Sequence, residues 1–203
     1  MKKLLAIIVL GLFLITPSQA NDIRDFEIEG MSINDSLLNF IKIEQINKKQ
    51  NYYKDKGYQY RLKDFYSLTF YNKNTSPNFE NFHYFPNLKN YDDLQFHFMH
   101  GDGYFKIYSI EGGKYFNSMN RCFDKQDEVE IELNELFKNI EPRKSNSRHD
   151  SNKAQVRRTE YPFQDGFIRI SCQDWDEGTN IKDALVVTIV NEELNIFFTK
   201  NYK

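Results

Sequence analysis

The chain of 203 residues carries 27 Lys+Arg against 29 Asp+Glu, a formal net charge of -2, with 40% hydrophobic and 16% aromatic residues, which is the size of one domain or two small ones. A mean hydropathy of -0.69 with 28% charged residues excludes a protein embedded mainly in a membrane, and the aromatic content supplies burial that a disordered chain lacks. A pI near 6.1 gives no global basic field, so no nucleic-acid partner is expected.

Lys2 and Lys3 precede an apolar run from Leu4 to Ile15 and a segment, Thr16-Pro17-Ser18-Gln19-Ala20, with small residues at Ser18 and Ala20. This is the pattern of a signal peptide over residues 1–20, cleaved before Asn21. The run is shorter than the roughly 20 residues a spanning helix needs, which leaves an uncleaved anchor as the alternative. No cysteine stands at the cleavage site for a lipid anchor. The mature chain is therefore expected in the periplasm or outside the cell, without a transmembrane segment.

Export bears on the two cysteines, Cys122 and Cys172. An oxidising compartment lets such a pair form a disulfide, worth roughly 4 kcal/mol for a loop of this length. Two free thiols and a redox-active pair are the alternatives, the latter without a C-x-x-C spacing to support it.

Along the mature chain, Phe26 and Ile28 alternate with charges and suggest a short strand over 23–29, ended by Gly30. Ser32 and Asp35 make a loose capping box, and Ile33, Leu37 and Ile41 follow at helical spacing, with a second short helix expected in the polar stretch from Lys42 to Gln50. Phe65 to Tyr71 reads as a strand, and Asn72 to Pro77 as a turn. Leu94, Phe96 and Phe98 alternate with polar residues and predict one arm of a hairpin, with Phe105 to Ser109 as the other. Glu111-Gly112-Gly113-Lys114 reads as a turn before a third strand at Tyr115 and Phe116. Val129, Leu133, Leu136, Phe137 and Ile140 predict an amphipathic helix over 125–140.

Residues 141–160 are basic and nearly free of aliphatic side chains, which reads as a flexible loop. Tyr161 to Phe163 and Phe167 to Cys172 flank Gln164-Asp165-Gly166 as a hairpin, Ala184 to Val190 is an apolar strand, and Asn191 opens a last short helix, with a strand as the alternative because Leu194, Ile196 and Phe198 also alternate. The expected organisation is an N-terminal α+β part over 21–140, the basic loop, and a C-terminal part over 161–203 that completes the same domain. The fold class is α+β: an antiparallel sheet, meander plus C-terminal hairpin, with two or three helices on one face.

The stretch Phe26-Glu27-Ile28-Glu29-Gly30-Met31-Ser32-Ile33-Asn34-Asp35-Ser36-Leu37-Leu38, with Ile110-Glu111-Gly112-Gly113, Cys122 and Ser171-Cys172-Gln173-Asp174-Trp175, resembles a family of uncharacterised exported proteins from AT-rich marine bacteria. The resemblance implies export and paired cysteines and supplies no catalytic residue. Gly30-Met31-Ser32 opening a helix is also similar to the Gly-Met-Thr start of the small outer-membrane assembly proteins SmpA or BamE.

Candidate chemistry is sparse. His97, His100 and Asp102 suggest a metal constellation, but residues three apart on a strand face opposite ways, so surface histidines are expected. His83 and His149 have no patterned partner. Asp174, Asp176, Glu177 and Asp183 offer the hard oxygens calcium prefers, yet the spacing departs from an EF-hand and a solvated acidic turn is expected, with Trp175 as a lid over the adjacent disulfide or, alternatively, an exposed contact residue. Aromatics between Tyr52 and Tyr91 read as core, with sugar-stacking platforms as the alternative. The basic stretch from Arg143 to Arg158 reads as a solvated linker, with anionic lipid as the alternative partner.

No nucleophile elbow or phosphate loop is present, so no catalytic residue, metal or cofactor is expected. The reading is an exported binding or interaction module for a protein, small-molecule or glycan partner. The alternative is a periplasmic hydrolase using carboxylate or metal-assisted chemistry. Mass spectrometry of exported material should find a mature chain beginning at Asn21, and a mass that retains residues 1–20 would identify an anchor.

Overall fold

The computed structural model describes residues 22–56, 64–76, 78, 80–149, 151–179 and 181–201; the expected leader lies outside them. Seven strands, β1 (Phe65–Tyr71), β2 (Asp93–Met99), β3 (Ser109–Tyr115), β4 (Arg143–Arg148), β5 (Ala154–Phe163), β6 (Gly166–Trp175) and β7 (Ala184–Asn191), form one antiparallel sheet in the order β1-β2-β3-β7-β6-β5-β4. Helices α1 (Ile43–Asp55), α2 (Met119–Leu136) and α3 (Glu192–Asn201) complete the predicted α+β fold. Two meanders, one from each half of the chain, meet where β3 pairs with β7.

Strand registry separates the sheet into an apolar and a polar face, because successive side chains point opposite ways. Leu68, Phe96, Ile110, Ile189, Ile168 and Tyr161 are cross-strand partners in one row over six strands, and each is buried to within 1%. The N-terminal segment, α1 and α2 cover this face. On the other face α3 covers one end only, where Leu194, Phe197 and Phe198 pack with Phe65, Met99, Phe167 and Val190. Asn191 caps α3, its side chain accepting the Leu194 N–H at 2.9 Å.

Cys122 on α2 and Cys172 on β6 lie at disulfide distance, with Cα atoms 6.0 Å apart, and tie the helix to the apolar face. The helix starts at Met119, not at 125. Met119, Cys122, Phe123, Gln126, Val129 and Leu133 make one continuous helical stripe toward the sheet, so burial extends the helix N-terminally beyond the expected start at 125.

Residues 141–160 are not a loop. They form β4 and most of β5, and the two strands pair from Arg143↔Glu160 to Arg148↔Gln155. What the composition conceals is a polar partner: Thr159 Oγ1 and Lys144 Nζ both donate to the buried Glu130 of α2 (2.6 Å each), and Arg157 donates to Gln126 Oε1 (2.9 Å), Phe123 O (3.0 Å) and Asp127 Oδ1 (2.7 Å). Charged groups with satisfied hydrogen bonds hold the strand where apolar burial is missing.

Other expectations need correction. The expected strand over 23–29 is a single 3₁₀ turn, Ile23–Asp25, followed by an extended segment whose Phe26 and Ile28 are buried. Ser32 N–H does donate to the Asp35 carboxylate (2.9 Å), but only a 3₁₀ turn, Leu37–Asn39, follows before α1. Phe105 to Ile107 lie in the connection between β2 and β3, and β3 runs straight through Glu111-Gly112-Gly113-Lys114. A Cβ at Gly112 would stand 2.6 Å from the Tyr91 ring, and one at Gly113 2.4 Å from an Asp93 carboxylate oxygen. Both glycines serve close approach on opposite faces of a strand, so this pair does not make a turn.

Because the bridge joins residues separated by 50 positions, replacing Cys122 or Cys172 by serine should lower stability by about 2–5 kcal/mol. Urea unfolding with and without reductant measures this, and identical midpoints would show that the bridge contributes nothing.

Candidate functional site

The apolar face carries a cleft of about 610 Å³ over its centre. Its floor is Ile168 on β6 with Val187 and Ile189 on β7, one wall is Val129 and Leu133 of α2, and the other is Phe85 to Tyr91 with Phe26 to Gly30. Val187 is half-buried although it sits mid-strand on a central strand. Its partner across the β3–β7 ladder is Gly112, which has no side chain to shield it. The Tyr91 ring lies across that glycine and forms the edge of the cleft.

The far wall is fixed by a turn. Glu29 (φ 55°) and Gly30 (φ 79°) are both left-handed and close a two-residue connection between the bridge partners Ile28 and Met31, the conformation of a type I′ turn. That geometry puts the Glu29 carboxylate on the backbone N–H groups of Lys89 (3.1 Å), Asn90 (2.6 Å) and Tyr91 (3.4 Å). Burial, with the Glu29 charge adding to it, pushes the Tyr91 phenol well above its usual range. The mouth is polar, with Glu27, Asn39, Asn87, Lys89 and Asn90. An apolar floor under a rim of amides and charges suits an amphipathic molecule.

On the opposite face a polar row crosses all seven strands in register: Thr69, Gln95, Glu111, Thr188, Arg169, Glu160 and Arg143. Thr69 donates to Gln95 (3.0 Å), Thr188 to Glu111 (3.2 Å) and Arg169 to Glu160 (2.7 Å). Burial, reinforced by the nearby Asp93 charge, pushes the Glu111 carboxyl up to about 7. Burial also raises Asp93, against the opposing hydrogen bond from the Tyr115 hydroxyl. These carboxyls stand across the sheet from the cleft.

His97, His100 and Asp102 do not come together as a metal constellation, and of the two histidines expected at the surface only His100 is exposed. His97 is half-buried on the polar face, its ring edge-on to Phe198 at 5.8 Å and its Nδ1 without a partner, and burial lowers its imidazole to about 4. His100 stacks on Tyr66 (4.9 Å), while Asp102 accepts the N–H groups of Tyr104 and Lys106. Among the described residues no group of three His, Cys, Asp or Glu side chains is placed to hold a metal ion. In the acidic turn Asp183 accepts the Trp175 N–H (3.0 Å) and Asp176 pairs with Arg148 (2.7 Å). Trp175 is no lid over the disulfide: three positions from Cys172, it faces the other side of the sheet and lies tilted against the His149 ring, centroids 4.8 Å apart.

His83 was without a sequence partner and finds one in Lys49, whose Nζ lies 2.6 Å from its Nδ1. Burial lowers Lys49 to about 7, and burial together with the Lys49 charge lowers His83 to about 4. Of the ten Phe and Tyr residues described between Tyr52 and Tyr91, six are buried in the core: Phe65, Tyr66, Phe70, Tyr84, Phe85 and Tyr91. The cleft has no local signature in the sequence, since its residues come from six separated segments.

No protein-family model, no curated protein and no solved structure matches this chain.

Glu111 should leave a signature in pH dependence. Below about pH 4.5 its carboxyl is protonated whether the chain is folded or not; between 4.5 and about 7 the unfolded chain ionises while the folded one keeps its proton, so stability falls as pH rises through this window. Solvent reaches part of the side chain, which limits the effect to about 1–2 kcal/mol. Glu111→Gln keeps an acceptor for Thr188 and should abolish this fall. Parallel stability–pH curves for the variant and the parent would exclude Glu111 as its source.

Proposed function

We propose that this protein is an exported binding module that takes a small amphipathic molecule into the cleft beside α2. The carrying observation is Val187, a mid-sheet valine left half-exposed at the floor of an apolar cavity of about 610 Å³, a volume within the range of small-molecule sites. The ligand's apolar part would rest on Val187, Ile189 and Ile168, and its polar end would meet Lys89, Asn87 and Asn90 at the mouth. Export is supported by the leader-like residues 1–20 and by the bonded Cys122–Cys172 pair. No helix of the described residues is long and apolar enough to cross a membrane.

A hydrolase would find its carboxyl pair in Asp93 and Glu111. Both are engaged, by Tyr115 and Thr188, on the face opposite the cleft, so binding is the reading we adopt.

Dodecanoate is a suitable probe, followed by displacement of 1-anilinonaphthalene-8-sulfonate fluorescence. The parent chain should bind it with a Kd on the order of micromolar. Val187→Phe fills the floor from an already open position and should weaken binding at least about tenfold with an unchanged circular dichroism spectrum. Absence of saturable binding by the parent, or equal binding by the variant, would overturn the proposal.

A further inference from the structure

A second surface, remote from the cleft, displays one aromatic ring. The connection between β2 and β3 ends its turn at Tyr104, which is 80% exposed, more than any other large hydrophobic side chain among the described residues. The backbone beneath it is tightly held. The Asp102 carboxylate accepts the N–H of Tyr104 (2.9 Å) and of Lys106 (2.8 Å), the Ser36 hydroxyl donates to the Tyr104 carbonyl, and the Leu37 N–H donates to the Phe105 carbonyl (3.1 Å). Phe105 adopts a left-handed backbone (φ 50°), disfavoured for a side chain of this size. That conformation sends its ring inward against Phe98, 6.0 Å away, while Tyr104 points outward. A strained residue held by its neighbours next to an exposed ring is an arrangement found at ligand clamps.

Grooves flank the turn on both sides. One, of about 570 Å³, sets Tyr104, Tyr108 and His100 beside Asn34, Ser36 and Lys106; the other, of about 370 Å³, sets Tyr66 beside Gln50, Asn51 and Lys54. His100, Gly101 and Asp102 line both, so the grooves meet at the turn. We propose that this turn is a binding platform for a saccharide chain, with the Tyr104 ring stacked on the C–H face of one sugar.

The chemistry selects that ligand. A pyranose presents an apolar C–H face and a rim of hydroxyls, each both donor and acceptor. It needs an exposed aromatic ring beside mixed donors and acceptors. The amides of Asn34 and Asn51 supply both kinds, Lys54 and Lys106 add donors, and Gln50, which donates to the Tyr66 hydroxyl (2.6 Å), fixes that ring at the groove wall. The carboxylate of Asp102 is engaged by backbone N–H groups, and Lys54 and Lys106 stand in the grooves it lines to offset its negative charge. A protein partner would instead call for an uninterrupted apolar patch around the ring, whereas Met99 and Tyr108 share the groove of Tyr104 with Asn34, Ser36, Asp102 and Lys106.

The test titrates the full mature chain with cellohexaose, maltohexaose, chitohexaose, laminarihexaose and an alginate hexamer, using saturation-transfer NMR and calorimetry. At least one should bind, with transfer to the protons of one sugar face. Tyr104→Ala should weaken that binding at least about tenfold, Tyr104→Trp should retain it, and Val187→Phe should leave it unchanged, which separates this site from the cleft. Tyr104 is exposed, so its replacement leaves the core packing untouched. No binding of any of the five up to about 10 mM, binding indifferent to Tyr104→Ala, or binding only of a thymidine octamer used as a competitor would each overturn the proposal.

Discussion

The two halves of the chain are joined at one seam, where β3 lies antiparallel to β7 from Ser109↔Val190 to Tyr115↔Ala184. Pairings this distant in sequence carry the loop-closure cost of everything between them, and here the seam also sets the surface chemistry of the molecule. Gly112 and Gly113 on β3 face Val187 and Val186 on β7. Because neither glycine has a side chain, Tyr91 can lie flat on one side and the Asp93 carboxyl on the other. The strand thereby serves a binding cleft on one face and a carboxyl cluster on the other.

The two faces solve the problem of burial differently. On the apolar face, a row of large side chains excludes water beneath two helices and the N-terminal segment. Only one end of the polar face lies under α3, and the rest is closed by its own long side chains: the Arg169 guanidinium rests 4.4 Å over the Phe167 ring, and Lys182 covers Tyr115. In this way Thr188, Ser171 and Val186 become buried without a second layer. The raised carboxyl of Glu111 is the electrostatic consequence of that closure.

Elements whose partners are local were legible in the sequence. The hairpin of β5 and β6, strand β7, strand β1 and the cap of α3 all declare themselves within a few residues. The misread elements depend on distant partners. Gly112-Gly113 carries the composition of a turn, and only the presence of Tyr91 and Asp93 across it makes it a strand. Arg143 to Arg158 has the composition of a loop, and its place in the sheet depends on the ladder to β6 and on the polar face of α2, above all Glu130 and Asp127. The cleft was illegible for the same reason, since no local pattern in Phe26, Phe85, Val129 and Val187 distinguishes a cavity lining from core.

That dependence on distant partners also explains why the cleft stays open. The polar ties of α2 to the sheet seen among the described residues run to β4 and β5, through Lys144, Arg157, Thr159 and Tyr161, and its covalent tie runs to β6 at Cys172. The helix is thus drawn away from the β3–β7 seam. On the other side, Glu29 clamps the backbone of residues 89–91, and Asn72 fixes the same segment by donating to Leu88 O (3.2 Å) and Tyr91 O (3.0 Å). Each wall is anchored outward, by bonds that do not cross the gap. A cavity held open by its own walls spends little binding energy on rearrangement when a ligand enters, and the bare valine at its floor is what such a ligand would cover.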